Sequence, residues 1–277
     1  MIDVQVKDLY LEGKTVLDIE KIVNRSKVTV ISWLRQLGVY DRNRDYVKFK
    51  YTNLDFFHTV DTELKSYWLG FIYADGCVFS KPENHIKRFS IDLGIIDKSH
   101  LEKLANIFSK PIDQFPSSPH LVWLTVNGSQ LYTDLINHGI EERKTYSNTT
   151  PVLNHIPDNL MNHFIRGFFD GDGWTHQKEN HYKFGLCGTT EFLTELQKIL
   201  FQKLQTKYNV PIYKKQIFEL NYESQIEIIH IYNYLYYNST IWLERKRDKF
   251  EEMVTKILLN ESTIIKTQAN NILNTLN

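Results

Sequence analysis

SYWLGFIYADG (66–76) and HFIRGFFDGDG (163–173) carry the same message twice: an apolar helical run with a glycine inside it, then an acidic residue and a closing glycine. Glycine in a helix interior costs roughly 1 kcal/mol relative to alanine. Its presence at both Gly70 and Gly167 therefore predicts a close approach of two helix backbones. Gly76 and Gly173 are expected to end the two helices in the left-handed conformation that glycine adopts freely. Asp75 and Asp172 then fall in the last helical turn, where the negative end of the helix dipole disfavours a carboxylate. If the helices pack side by side in parallel, the two carboxylates meet at one end and repel by roughly 3 kcal/mol at an effective dielectric near 20. A divalent cation would relieve both penalties, and paired violations of local rules point to a functional site. A single Asp-Gly is usually a turn; what decides is that the whole phrase recurs, Asp172 following Asp75 by 97 residues. DGDGWTHQKENH (170–181) does not make a calcium loop, because Trp174 and His181 occupy its fifth and twelfth positions.

Outward from these phrases, each copy predicts the order helix, two strands, helix, two strands, helix. The strand-like pieces are RFSIDLGI and LVWLTVN in the first copy, YKFGLCG and QIEIIHI in the second. Helices are expected over Lys98 to Phe108 and Leu131 to His138, and again over Glu191 to Leu204 and Tyr232 to Tyr237. The fold class is α+β, a pseudo-dimer of two α-β-β-α-β-β-α repeats in one chain. Repeat 1 is placed at 61–147 and repeat 2 at 159–260, with a linker at 148–158 and a tail at 261–277.

The first forty residues read as a small all-α domain: helices from Val4 to Leu11, from Thr15, as N-cap, to Val23, and from Lys27 to Leu37. Apolar faces at Ile19, Ile22 and Val23, and at Val30, Trp33, Leu34 and Leu37, are joined by the turn Asn24-Arg25-Ser26. That is helix-turn-helix spacing, and it resembles the DNA-binding domains of resolvase-like proteins, whose last helix enters the major groove. Thr29, Ser32, Arg35 and Gln36 are its expected contacts. A basic linker follows at 41–60. Lys21 to Lys50 holds eight basic residues against two acidic ones, although the chain as a whole balances 33 basic with 33 acidic.

Cys77 and Cys187 have neither CxxC spacing nor a nearby histidine set, so neither a disulfide framework nor a zinc site is suggested. No apolar stretch is long enough to span a membrane and no signal peptide is evident, so an intracellular, cytoplasmic protein without a membrane partner is expected, in an organelle or outside one.

The two phrases resemble the paired motifs of LAGLIDADG homing endonucleases, and the resemblance runs from Asp61 to Glu252. The lead-in YTNLDFFHTVDTELKSYWLGFIYADG (51–76) is especially similar to free-standing members. The resemblance implies site-specific cleavage of both strands of a long, non-palindromic DNA target by phosphodiester hydrolysis. It implies that Asp75 and Asp172, with the carbonyls of Ala74 and Gly171, hold Mg2+ or Mn2+, and that Ca2+ binds without supporting cleavage. Trp68, Leu69 and Tyr73 depart from the nine-letter pattern, and Asp170, the earlier aspartate of the second motif, is assigned a structural part. A basic residue after the last strands of each copy is also implied: Lys144, and Lys246 with Arg245 and Lys249 as alternatives. The sheets are expected to form a DNA-binding saddle read by Lys81, Lys87, Arg88, Gln177, Lys183, Lys214 and Lys215, with Arg42 and Arg44 contributing from the linker. With both motifs on one chain, a monomer is expected. Two alternatives use the same scaffold: a catalytically inactive DNA-binding regulator and an intron RNA maturase.

Overall fold

The computed structural model of the chain describes residues 4–12, 14–40, 51–81, 86–114, 117–142, 151–214 and 217–260. It divides into two compact units, Met1–Lys50 and Tyr51–Asn277.

The first unit contains three helices: α1 (Val4–Leu11), α2 (Val16–Val23) and α3 (Lys27–Gln36). Val6, Tyr10, Val16, Ile19, Val30 and Leu34 form its buried core. Thr15 caps α2 as the sequence predicts. The Thr15 N–H donates to Asp18 Oδ2 at 3.1 Å while the Asp18 N–H donates to Thr15 Oγ1 at 3.2 Å, a reciprocal arrangement whose cap is worth about 1 kcal/mol. The turn is made at Asn24, with φ 51° and ψ 47°, the left-handed conformation that asparagine tolerates better than most residues. Ser26 then caps α3, its hydroxyl accepting from the Thr29 N–H.

The second unit is built on two central helices, α4 (Glu63–Asp75) and α7 (Met161–Asp172). α4 is buried from Ser66 to Ile72 and α7 from Phe164 to Asp170, the all-round burial of helices at the centre of a core. After α4 come β1 (Cys77–Lys81), β2 (Ile86–Gly94), α5 (Lys98–Ile107), β3 (Leu121–Asn127) and α6 (Ser129–Asn137). After α7 come β4 (Gly173–Lys178), β5 (His181–Gly188), α8 (Thr190–Leu204), β6 (Ile212–Lys214), β7 (Ile217–Tyr222), α9 (Gln225–Tyr236) and α10 (Glu244–Asn260). The strands make two antiparallel sheets, ordered β1-β2-β3 and β4-β5-β7-β6. One face of each packs on helices, and the buried residues of both halves join in a single hydrophobic cluster.

Three expectations are corrected. QIEIIHI is not a strand but the first half of α9: Ile228, Ile231 and Leu235 are buried at helical spacing, and the strands of that region are β6 and β7. In the first copy, the described residues between α5 and β3 hold only an isolated bridge, Asp113 with Trp123, where the second copy has β6. Segments read as linkers also enter the core. Phe57 and Val60, like Val152, Leu153 and Ile156, are buried with the second unit. Among the described residues, no helix is long and apolar enough to cross a membrane.

Candidate active site

The glycines of α4 and α7 face each other's backbone. A Cβ on Gly70 would stand 2.0 Å from the Phe164 carbonyl oxygen, and one on Gly167 would stand 1.9 Å from that of Tyr67. The same 97-residue offset relates Tyr67 to Phe164 and Gly70 to Gly167, so the contact repeats about a pseudo-two-fold axis. Further along, a Cβ on Gly171 would stand 2.3 Å from the Ala74 Cβ and 3.2 Å from Asp75 Oδ2. Contact positions rise together on the two helices, which are therefore parallel and end at the same place. Each has its aspartate as last residue, Asp75 exposed and Asp172 half-buried.

Gly76 and Gly173 do end the helices, but not in the expected left-handed conformation. Their φ values are −78° and −90°, with extended ψ. Space is the reason for glycine here: a Cβ on Gly76 would lie 2.7 Å from the Ile72 carbonyl oxygen, and one on Gly173 would lie 2.1 Å from Phe169 Cδ2. The chain turns into β1 and β4 directly over the last helical turn.

Asp170 is buried beneath this end. Its Oδ2 accepts from the Tyr67 hydroxyl at 2.7 Å and from the Leu243 N–H at 2.7 Å. Burial pushes its carboxyl up to about 6, against those two donors and the charges of Lys246 and Arg166. Asp170 thus ties α7 to α4 and to the segment leading into α10. The equivalent residue in the first motif, Tyr73, packs on Phe164, Phe168 and Phe192 instead.

Lys246 stands at the C-terminal end of α7. Its ammonium donates to the carbonyls of Phe169 at 2.9 Å, Gly171 at 2.6 Å and Gly173 at 2.8 Å. Burial pushes it down to about 8, aided by Arg245 and opposed by the carboxylates of Asp170, Asp75 and Asp172. Of the alternatives, Arg245 is held by Asp97, its Nε and Nη2 donating to both carboxylate oxygens at 2.7 to 3.0 Å, and Lys249 is exposed. Lys144 lies outside the described residues.

Sequence reasoning missed Arg166. Fully buried, it donates to Glu63 Oε1 at 2.5 Å and to the carbonyls of Leu235 and Ile241, tying the N-terminal half of α4 to the segment between α9 and α10. A charged residue inside an apolar helical run was the available signal.

The open faces of the sheets divide the expected contacts. Lys81 and Arg88 share the open face of the first sheet, alternating with the buried Val78 and Phe89. Lys183 takes the open face of the second, its ammonium donating to Glu223 at 2.5 Å. Lys87 has the opposite parity and sets its ammonium 5.1 Å from the Tyr132 ring on α6, and Gln177, paired with the buried Tyr182, also faces the helices. In its place Trp174, His176 and Lys178 face outward, with the Trp174 indole lying over Gly185. Glycine inside a strand marks such an approach. The side chain of Lys214 is outside the described structure, as are Lys215, Arg42 and Arg44. In the first unit Ser32, Arg35 and Gln36 are exposed on α3, whereas Thr29 is half-buried with its hydroxyl 2.9 Å from that of Ser26.

Two sheet-and-helix halves related by a pseudo-two-fold axis, joined through glycine-apposed parallel helices that each end in an aspartate, define the LAGLIDADG fold. Solved structures carry the same assignment. The chain is similar to the meganuclease I-SmaMI bound to uncleaveable DNA, with a TM-score of 0.51 and 13% identity over 78% of this chain and 98% of that one. It is equally similar to the I-LtrWI LAGLIDADG homing endonuclease bound to target DNA, with a TM-score of 0.50, 13% identity and the same coverage. No protein-family model matches the chain, and no curated protein matches it in sequence.

Proposed function

We propose that the chain is a site-specific endonuclease that breaks both strands of a long DNA duplex by metal-dependent hydrolysis, acting as a monomer. The carrying observation is the convergence of Asp75 and Asp172 at the shared end of α4 and α7, with the Lys246 ammonium on the carbonyl next to Asp172. The two structural neighbours, each bound to DNA, support the choice of substrate.

Mg2+ is the cofactor that suits this donor set. Two carboxylates and the carbonyls of Ala74 and Gly171 are hard oxygen donors, the type Mg2+ takes alongside substrate phosphates and water. Among the described residues no three His, Cys, Asp or Glu side chains gather, so water and substrate would have to supply the remaining ligands. A carbonyl has two lone pairs, so Gly171 can accept from Lys246 and remain a donor. Held there, a divalent cation would supply Lewis acidity, to activate an attacking water and to offset charge on the phosphate and the leaving 3′ oxygen. Mn2+ should substitute, and Ca2+ should bind without supporting cleavage.

The chain's own groups do the rest. Asp75 and Asp172, one from each half, give each strand its own carboxylate. Lys246, its three donors engaged by the carbonyls of Phe169, Gly171 and Gly173, offsets the negative end of α7 where Asp172 must stay ionised. The open sheet faces, with Lys81, Arg88, His176, Lys178 and Lys183, supply the surface that lies along the duplex. The first unit is read as a helix-turn-helix domain that lengthens the footprint. Incubating the protein with a randomised duplex library in Mg2+ and sequencing the cut ends tests the reading, with Asp75→Asn and Asp172→Asn proteins run alongside. Recurrent double-strand ends absent from both variants support it. Salt-sensitive DNA binding without Mg2+-dependent cleavage would leave the scaffold as a DNA-binding regulator, and preference for RNA would make it a maturase.

A further inference from the structure

Val28, in the first turn of α3, is 77% exposed. Counting 100° per residue, Val28, Ser32 and Arg35 form one stripe, opposite the buried Val30 and Leu34 that hold α3 to the unit's core. Arg35 shares this stripe and Arg25 and Lys27 precede Val28 in the chain, all three exposed, and α3 contains no acidic residue. An apolar side chain in solvent is ordinary by itself. This one stands on the outward face, shared with Arg35, of the helix whose N-terminal residues meet base edges when a helix-turn-helix docks on DNA. It is the sole large apolar side chain of α3 with such exposure, whereas the hydroxyl of Thr29, one of the expected contacts, is engaged at the helix cap.

We propose that Val28 reads a thymine, packing its methyl groups against the 5-methyl of the base in the major groove; this rests on reading the first unit as a helix-turn-helix domain. Of the four bases only thymine presents an apolar group on that edge. A β-branched side chain is locked near one rotamer in a helix, so its methyls are presented without much entropy to lose. The basic residues around it match the phosphates on either side and hold the helix at the depth where such a contact forms.

The experiment uses the full chain in EDTA, so that binding is read without cleavage. Duplexes are selected from a random library, the footprint is mapped, and each thymine in it is replaced singly by uracil, which lacks only the methyl. The expected result is one thymine at which uracil weakens binding by about 3- to 10-fold. Val28→Ala should lose a similar factor on the thymine duplex and no longer distinguish thymine from uracil there. If no thymine responds, or if Val28→Ala keeps the wild-type preference, the proposal is overturned. A Lys27→Ala/Arg35→Ala protein separates the two layers. Should it bind with unchanged affinity and footprint, the DNA-binding reading of the unit fails and the proposal with it. A shortened footprint without any thymine coupled to Val28 removes the base assignment alone.

Discussion

Tyr67 on α4 donates its hydroxyl proton to Asp170 on α7 at 2.7 Å, and this bond decides the tautomer of a third residue. A tyrosine hydroxyl has one proton, so His100 Nε2, 2.9 Å from the same oxygen, must be the donor, and His100 is neutral with Nδ1 bare. Asp170 Oδ1 has no partner among the described residues, which leaves Tyr67 and the Leu243 N–H as the donors to this carboxylate. Tyr67→Phe is therefore expected to destabilise the fold by about 1–3 kcal/mol, measured by urea unfolding without metal. A change below about 0.5 kcal/mol would mean that the bond adds nothing to holding the two helices together.

Gly70 and Gly167 set the distance between the helices. A Cβ at either would overlap a carbonyl oxygen of the other helix, and backbone cannot swing away as a flexible side chain can. Gly70→Ala or Gly167→Ala should cost about 3 kcal/mol or prevent soluble expression. Gly94→Ala is the control, since the nearest atom to its Cβ would be Ile96 Cγ2 at 3.7 Å. Equal melting temperatures for Gly70→Ala and Gly94→Ala would refute the close approach.

The aspartates that end these helices predict opposite effects on stability and activity. Asp75→Asn and Asp172→Asn each remove a negative charge from a helix C-terminus and from its neighbour. Each should stabilise the metal-free protein by about 0.3–1 kcal/mol, while cleavage falls roughly 100-fold or more. Thermal melts and a nicking assay on one preparation read both. Carboxylates kept only for structure would instead lower the melting temperature when replaced.

What could be read ahead of the structure follows from which physical signals are local. The glycine-aspartate phrases expose the central helices and their carboxylates because each breaks a rule that only a close contact and a bound charge would justify. QIEIIHI misleads because alternating isoleucines fit a strand and a helix alike; the burial of Ile228, Ile231 and Leu235 at helical spacing, a matter of packing, is what decides. Strand parity was equally hidden. Lys87 and Gln177 face the helices because Phe89 and Tyr182 fix the register, a fact of packing that composition does not carry. Gly76 and Gly173 were right in place and wrong in cause, since a steric need and a left-handed φ both select glycine. Nothing local in IWLERKRDKF separates Lys246 from Arg245; Asp97, 148 residues away from Arg245, does so by holding it.

Lys246 should separate binding from chemistry. Its ammonium is spent on three carbonyls at the end of α7, so Lys246→Met ought to reduce cleavage roughly 100-fold with DNA affinity changed less than about 3-fold. Lys246→Arg should not restore it, because a planar five-donor fork does not fit a site shaped for a compact ammonium. Restoration by arginine would show that charge alone matters there.

His100 gives the fold a defined response to acid. Burial, aided by Lys103, pushes its pKa down to about 4 from an ordinary value of 6.5, against the pull of Glu244 and Asp97. Above pH 6.5 the imidazole is neutral in folded and unfolded chains alike. As the pH falls through 6.5 the unfolded chain takes up a proton that the folded chain refuses until about 4, so stability is lost progressively across that window. The full loss is about 3 kcal/mol. His100→Gln retains a donor for Tyr67 and has nothing to titrate. The difference in unfolding free energy between the two proteins, followed by urea titration from pH 7.5 to 4, should therefore shift in favour of the variant as the pH falls. A difference that stays constant over this range would rule out a buried, neutral histidine at position 100.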